Sequence, residues 1–250
     1  MSEEYRAAIE GCKDFQTLFS LWKNKSPRIV DFEDQKMKKR FEINHKDTVF
    51  ISDGVVNPQV WDKQTPKILF VMKEAYSNKD ETDWSLADWV SRGDCLVHKI
   101  WRRIALWTYG LLHTTSGIIC PYTKQYTEAE YKDSLQRIAI LNIKKSNGKS
   151  VSDYDELGVY ASEDMYEIRK EFELIDPDVV VCGGCFLTLY ETAFARDDAN
   201  EKSENWYYYR EVFGKERLFL DFYHPANHWS DLLNYYGLMG IYQQALIAGQ

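Results

Sequence analysis

No apolar run in this 250-residue chain approaches the roughly 20 residues that cross a bilayer, and Met1 to Cys12 lacks a charged-then-apolar leader. Both absences lead to the expectation of a soluble, intracellular, cytoplasmic protein with no membrane partner. Cysteine is sparse and odd in number: Cys12, Cys95, Cys120, Cys182 and Cys185 do not make a disulfide framework in a chain of this length, and they read as reduced thiols. Basic charge is in deficit. A formal charge of -8 excludes a generally adhesive nucleic-acid binder, because every phosphate contact needs a local Lys or Arg, so any DNA contact must be a confined basic patch. Internal repeats and low-complexity tracts are also missing. What remains is core material. With 44% hydrophobic and 15% aromatic residues the chain can bury a full core, most simply as one domain, with two small domains as the alternative.

The stretch Lys67 to Ser77 organises the rest. Five apolar residues, Ile68 to Met72, run directly into Lys73 and Glu74, the pattern of a buried strand whose carboxyl end delivers a charged pair. Three further strands read from Arg137 to Asn142, from Asp178 to Gly184 and from Arg217 to Pro225. Between them lie helical signals. Asp14 caps a helix in which Phe15, Leu18, Phe19, Leu21 and Trp22 recur at helical spacing, Asp94 caps one running to His113, and Thr127 with Glu130 forms a capping box. Ser162 opens a helix to Ile175, Cys185 to Phe194 forms another, and Ser230 opens the last. The charged section Asp31 to Lys46 reads as solvated helix or loop, Ile143 to Ser150 as a cationic, turn-rich loop suited to phosphate, and Asp197 to Trp206 as an acidic loop.

Four apolar strands separated by helical crossovers imply an α/β fold, with a parallel sheet covered by helices on both faces. Residues 1–60 are expected as a helical or irregular extension packed on an α/β core of residues 61–250. Three of the strands finish in Glu74, Asn142 and His224, and the carboxyl ends of parallel strands converge on one crevice. A carboxylate held there is partly desolvated, which is costly unless it has a task.

The order of these motifs resembles the uracil-DNA glycosylase superfamily. In that family an apolar strand ends in a Gly-Glu-Ala-Pro-Gly type motif, and strands ending in Asn-x-x-Lys, Gly-Gly and His-Pro-Ser/Ala follow. Here Lys73-Glu74-Ala75-Tyr76-Ser77, Asn142-Ile143-Lys144-Lys145, Gly183-Gly184 and His224-Pro225-Ala226-Asn227 stand in the same order, from Ile68 to the C-terminus. The resemblance implies a three-layer α/β/α sandwich on a central four-stranded parallel sheet. It also implies a monofunctional DNA glycosylase that hydrolyses the N-glycosidic bond of uracil or another modified pyrimidine in DNA repair, with neither metal nor organic cofactor. Glu74 would stabilise the oxocarbenium-like sugar and activate water, while His224 donates to the base O2. Asn142 would read the flipped pyrimidine edge, with Trp84 or Trp89 as the stacking ring. Lys144, Lys145 and Lys149 would clamp phosphates, and the loop Asn227-His228-Trp229-Ser230-Asp231-Leu232 would supply the wedge through Trp229 or Leu232.

Two positions depart from the family: Lys73 stands where Gly is usual and Tyr76 where Pro is usual. Ser77 aligns with a Tyr that blocks C5-substituted bases, so a small residue there admits a larger pyrimidine unless Tyr76 fills the gap. The family's four-cysteine iron-sulfur spacing is missing. Cys182-Gly183-Gly184-Cys185 resembles a redox pair, but it has no partner pair and Cys182 falls inside a strand. Each residue also has a plainer reading. Glu74 can be an ion-pair partner of Lys73 or another nearby lysine, His224 a hydrogen-bonded structural imidazole, Asn142 a turn residue, and the tryptophans packing residues. Two competing functions stay open: a non-catalytic nucleic-acid or protein binder of the same fold, and a small-molecule hydrolase using Glu74 and His224.

Overall fold

In the computed structural model, which describes residues 2–34, 37–77, 82–148, 151–194 and 206–249, the apolar run Ile68–Met72 divides its side chains between two cores. Ile68, Phe70 and Met72 enter one cluster, while Leu69 and Val71 enter the other, as the two-residue period of a strand requires.

Among the described residues the chain begins with α1 (Glu3–Glu10), α2 (Phe15–Lys23), β1 (Arg28–Asp34) and β2 (Met37–Ile43). The short strands β3 (Ile51–Ser52) and β4 (Gly54–Val55) and the single turn α3 (Pro58–Trp61) precede β5 (Ile68–Tyr76). Then come β6 (Trp84–Ser85), α4 (Leu86–Arg92), a 3-10 turn over Asp94–Val97, α5 (Lys99–His113), α6 (Glu128–Leu135) and β7 (Ile138–Gly148). The remainder is α7 (Tyr154–Glu163), α8 (Met165–Ile175), β8 (Val179–Gly183), α9 (Phe186–Leu189) with a π turn over Tyr190–Phe194, β9 (Tyr207–Val212), β10 (Lys215–Phe222) and α10 (Asp231–Ala248). Expected caps are present: Asp14 Oδ1 accepts the Thr17 N–H at 2.7 Å, Thr127 and Glu130 cap α6 reciprocally, and the Ser230 hydroxyl accepts the Leu233 N–H.

The main sheet has the order β4-β7-β5-β8-β10-β9. It is mixed and six-stranded, which corrects the expected four-stranded parallel sheet. β7, β5, β8 and β10 pair in parallel, but β4 and β9 run antiparallel at the edges. β9 was hidden because Tyr207–Val212 mixes aromatic and charged residues, as befits an edge strand, and it reaches β10 through a tight turn in which Phe213 and Gly214 both take positive φ. Helices α4, α5 and α10 contribute to the cluster on one face, and α7, α8 and α9 to that on the other.

Four further expectations are corrected. Asp31 to Lys46 is mainly a β-hairpin: Val30, Phe32 and Phe41 turn inward onto Ile43, Val159 and Tyr160, while Arg40 and Asp31 pair on the wet side. The supposed cationic loop after Asn142 is strand, because β7 continues to Gly148 with Lys144 and Lys145 buried. Finally, α5 starts at Lys99 rather than Asp94, and Ser162 lies inside α7 instead of opening α8.

Residues 1–60 supply strand β4 and three buried ionisable groups, Lys25, His45 and Asp53. Lys25 Nζ lies 2.8 Å from Asp164 Oδ1, and His45 Nε2 lies 2.8 Å from Asp164 Oδ2. Burial alone would raise Asp164, yet these two partners hold it down to about 2. Asp53, just before β4, pairs with Lys145, whose ammonium is wholly buried and also lies 2.7 Å from Glu171. Burial and then Asp53 push Glu171 well above the usual carboxylate range, which favours one anion against one cation in this trio. No helix among the described residues is long and apolar enough to cross a membrane.

Removing one member of such a buried set strands the others in a medium of low polarity. Lys145→Ala is expected to lower unfolding free energy by about 3–5 kcal/mol. Urea unfolding reads the change as a fall in midpoint, and a loss below about 1 kcal/mol would contradict the assigned weight of this pair.

Candidate active site

From β5 the chain crosses to β7 on one side and later returns to β8 on the other, so the order of strands reverses beside β5 while the strands stay parallel. That is where an open α/β sheet leaves a crevice. β5 pairs with β8 only as far as Val71, and its register against β7 shifts between Glu74 and Tyr76. The unpaired stretch of β5 therefore borders a cavity of about 640 Å³.

Glu74, Asn142 and His224 all line this cavity, together with Lys73, Tyr76, Trp84, Trp89, His98 and Trp101. Glu74 and Asn142 stand within their strands rather than at the ends, because β5 and β7 run further than the apolar pattern suggests. Gly183 and Gly184 make room for the histidine. A Cβ on Gly183 would lie 3.3 Å from Pro225 Cδ, and Gly184 takes φ +66° beside the His224 backbone.

The Glu74 side chain is nearly buried, with Lys144 Nζ 3.3 Å from its Oε2. Lys144 also pairs with Glu156 at 2.9 Å. Burial pulls the Lys144 ammonium down, but Glu156 and Glu74 outweigh it and the net direction is up. Gly148, in register with Tyr76 on the neighbouring strand, is needed for this placement, since a Cβ there would fall 2.6 Å from Glu74 Cγ.

Asn142 is held by Asp53, whose Oδ2 accepts from the Asn142 backbone N–H at 2.6 Å and from Nδ2 at 3.1 Å. A carboxylate only accepts, so the amide nitrogen must face it, leaving Oδ1 and the second N–H for an occupant. His224 Nδ1 accepts the Ala226 N–H at 3.2 Å, which puts the ring proton of the neutral imidazole on Nε2. Burial, aided by the Lys73 ammonium, pulls the imidazole from 6.5 down to about 4. Lys73 itself hydrogen-bonds the Tyr154 hydroxyl, with its Nζ 4.3 Å from that ring's centroid.

Aromatic rings wall the cavity. Trp84 meets Trp89 edge-on with centroids 6.1 Å apart, and Trp89 meets Trp101 in the same way at 6.1 Å. Ser77 is buried outside the cavity lining and accepts the Trp84 indole N–H at 3.3 Å, while Tyr76 is 64% exposed at the rim.

The remaining expected residues divide. Lys144 and Lys145 are buried in ion pairs, which corrects their reading as phosphate clamps, and Lys149 lies outside the described residues. Asn227 spends its amide on the loop and on α10, donating to the His224 carbonyl and Asn234 Oδ1 and accepting from the Trp229 N–H and Asn234 Nδ2. His228 is exposed, as are Trp229 at 59% and Leu232 at 46%, and Trp229 stacks on Tyr223. Cys182 and Cys185 are both buried, and burial raises both thiols, Cys185 to about 12, so neither is poised as a thiolate. Among the described residues no group of three or more His, Cys, Asp or Glu could hold a metal ion.

Asp53, Gly148, Trp101 and Arg103 were missed. For Asp53 a signal existed, since the apolar residues Val49, Phe50 and Ile51 stand just before it in the sequence. Arg103, buried on α5, donates to the carbonyl oxygens of Pro225, Asn227 and Trp229 and to Asp231, and so fixes the loop after His224. No protein-family model matches the chain, and no curated protein matches it.

A histidine with a depressed pKa binds fewer protons folded than unfolded. Its contribution to stability is full above the unfolded value near 6.5 and is lost as pH falls toward about 4. An NMR titration of the imidazole is expected to show His224 still neutral at pH 5.5, and a midpoint at 6.5 would remove the assignment.

Proposed function

We propose that the protein is a monofunctional DNA glycosylase that removes uracil or another modified pyrimidine, leaving an abasic site. One observation carries this reading: an acid, an amide and a neutral imidazole from three separated stretches line a single aromatic-walled cavity. The reaction breaks the bond between the sugar C1′ and the base nitrogen, and the two fragments develop opposite charge. The sugar side needs an anion, and Glu74 supplies it next to Lys144. It also serves as acceptor for the proton of the attacking water. The departing base needs a donor at a carbonyl oxygen. His224 offers Nε2–H while neutral, so no proton need be gained before the bond breaks.

Asn142 reads the pyrimidine edge through its fixed Oδ1 and free N–H, and Asp53 sets which is which. Trp84, Trp89 and Trp101 provide faces and edges for a base taken out of the stack, an extrusion costing a few kcal/mol. With Ser77 turned toward Trp84, discrimination at the base C5 falls to the cavity wall and to Tyr76 at its rim. The exposed Trp229 and Leu232 are the side chains placed to fill the vacated stack. A cytoplasmic DNA-repair role and the absence of a cofactor belong to the same proposal.

The Glu74–Lys144 pair favours a second reading, a non-catalytic nucleic-acid binder in which the carboxylate serves structure. One variant separates the two. Glu74→Gln is expected to cut abasic-site formation on a uracil-containing oligonucleotide by at least about 100-fold, with binding held within about threefold. Alkali cleavage on a gel reports the product. Equal losses in both measurements would refute the catalytic assignment, and a wild-type chain inert on every altered pyrimidine would favour the binder.

A further inference from the structure

We infer that a second cavity, of about 330 Å³ and walled by Lys99, Arg102, Arg103 and Lys124, binds a backbone phosphate of the nucleic-acid strand whose base enters the first cavity. The inference rests on the proposed function for the identity of that strand. Its footing is a different set of residues.

The charge there runs against that of the whole chain. Four cations face one carboxylate, Asp231, in a protein of formal charge -8. Asp231 is already engaged: Arg103 Nη2 lies 2.6 Å from its Oδ1 and Lys99 Nζ 3.5 Å. Arg103 is buried and points its remaining donors at loop carbonyls, so it forms a rigid wall rather than a mobile ligand. Arg102 and Lys124 are exposed and have no carboxylate partner among the described residues. The rings of Tyr122 and Tyr131 complete the lining, giving a sugar or base an apolar surface beside the cations.

Position ties this cavity to the first. Ile100 and Trp101 line the base cavity, whereas their neighbours Lys99, Arg102 and Arg103 line the second, so the first turn of α5 divides them. A helix is about 10 Å across, a distance that a few nucleotides of one strand span. The loop from His224 to Trp229 runs over the same turn, because Arg103 holds three of its carbonyl oxygens. A strand leaving the base cavity past Trp229 therefore meets Arg102 and Lys124. This is the confined basic patch that an acidic DNA-binding chain requires, and it is separate from the buried Lys144 and Lys145.

Fluorescence anisotropy of a labelled single-stranded oligonucleotide carrying one uracil, titrated over a series of salt concentrations, tests the site. The variant is Arg102→Gln with Lys124→Gln, two exposed positions, and a thermal melt checks that the fold is retained. Loss of the two cations that hold this phosphate is expected to weaken binding at least tenfold at low salt and to make the slope of log K against log salt shallower by about 0.7, the value for one phosphate on a single strand. Unchanged affinity and slope would overturn the inference. If inorganic phosphate alone bound wild type as tightly as the oligonucleotide does, and did so through these two residues, the site would be one for a small anion and the strand assignment would fall. The proposed chemistry fails separately: a chain that binds DNA through Arg102 and Lys124 but releases no base refutes the glycosylase reading and leaves this one standing.

Discussion

Asp53 sits without solvent exposure between an ammonium and an amide, and both halves of the molecule converge on that carboxylate. Through Lys145 it reaches Glu171 and so joins the start of the chain to α8. Through Asn142 it sets which atoms of an amide face the cavity. Charges buried this deeply are tolerated only when each is matched, so the arrangement penalises any shift of β4 against β7. Stability and the orientation of the Asn142 amide in the cavity thus depend on one group, the carboxylate just before β4.

The apolar runs made the four inner strands legible, and the polar residue that follows three of them pointed to the crevice. Glu74, Asn142 and His224 do share one cavity. Strand length was illegible for a physical reason. A pattern-based boundary falls where hydrophobicity stops, whereas β5 and β7 continue through Lys73–Tyr76 and Ile143–Gly148 because their charged side chains find buried partners. Lys144 and Lys145 look like a solvated cationic loop in one dimension. Their carboxylates come from residues 53, 74, 156 and 171, and no local window contains those pairings. The hairpin β1–β2 escaped for the opposite reason, its wet face being so charged that the inward alternation of Val30, Phe32 and Phe41 was masked.

Electrostatics gives the two cavities different characters. Around the first, Lys144 lies between Glu74 and Glu156 and a neutral imidazole stands beside Lys73, so two anions offset two cations over short distances. The second leaves Arg102 and Lys124 without a carboxylate partner among the described residues. Balanced charge suits chemistry that creates transient ions, because the surroundings need not reorganise. Unbalanced charge suits attraction at a distance and weakens as salt is added.

Arg103 holds the loop after His224 by oxygen atoms of the peptide backbone, at Pro225, Asn227 and Trp229. A grip of that kind is blind to side-chain identity. The exposed faces at Ala226, His228 and Trp229 can be exchanged while the path of the main chain is kept, so the ridge between the cavities works as an interchangeable tip on a fixed handle. Redesign of what the protein touches there can begin from the tip alone.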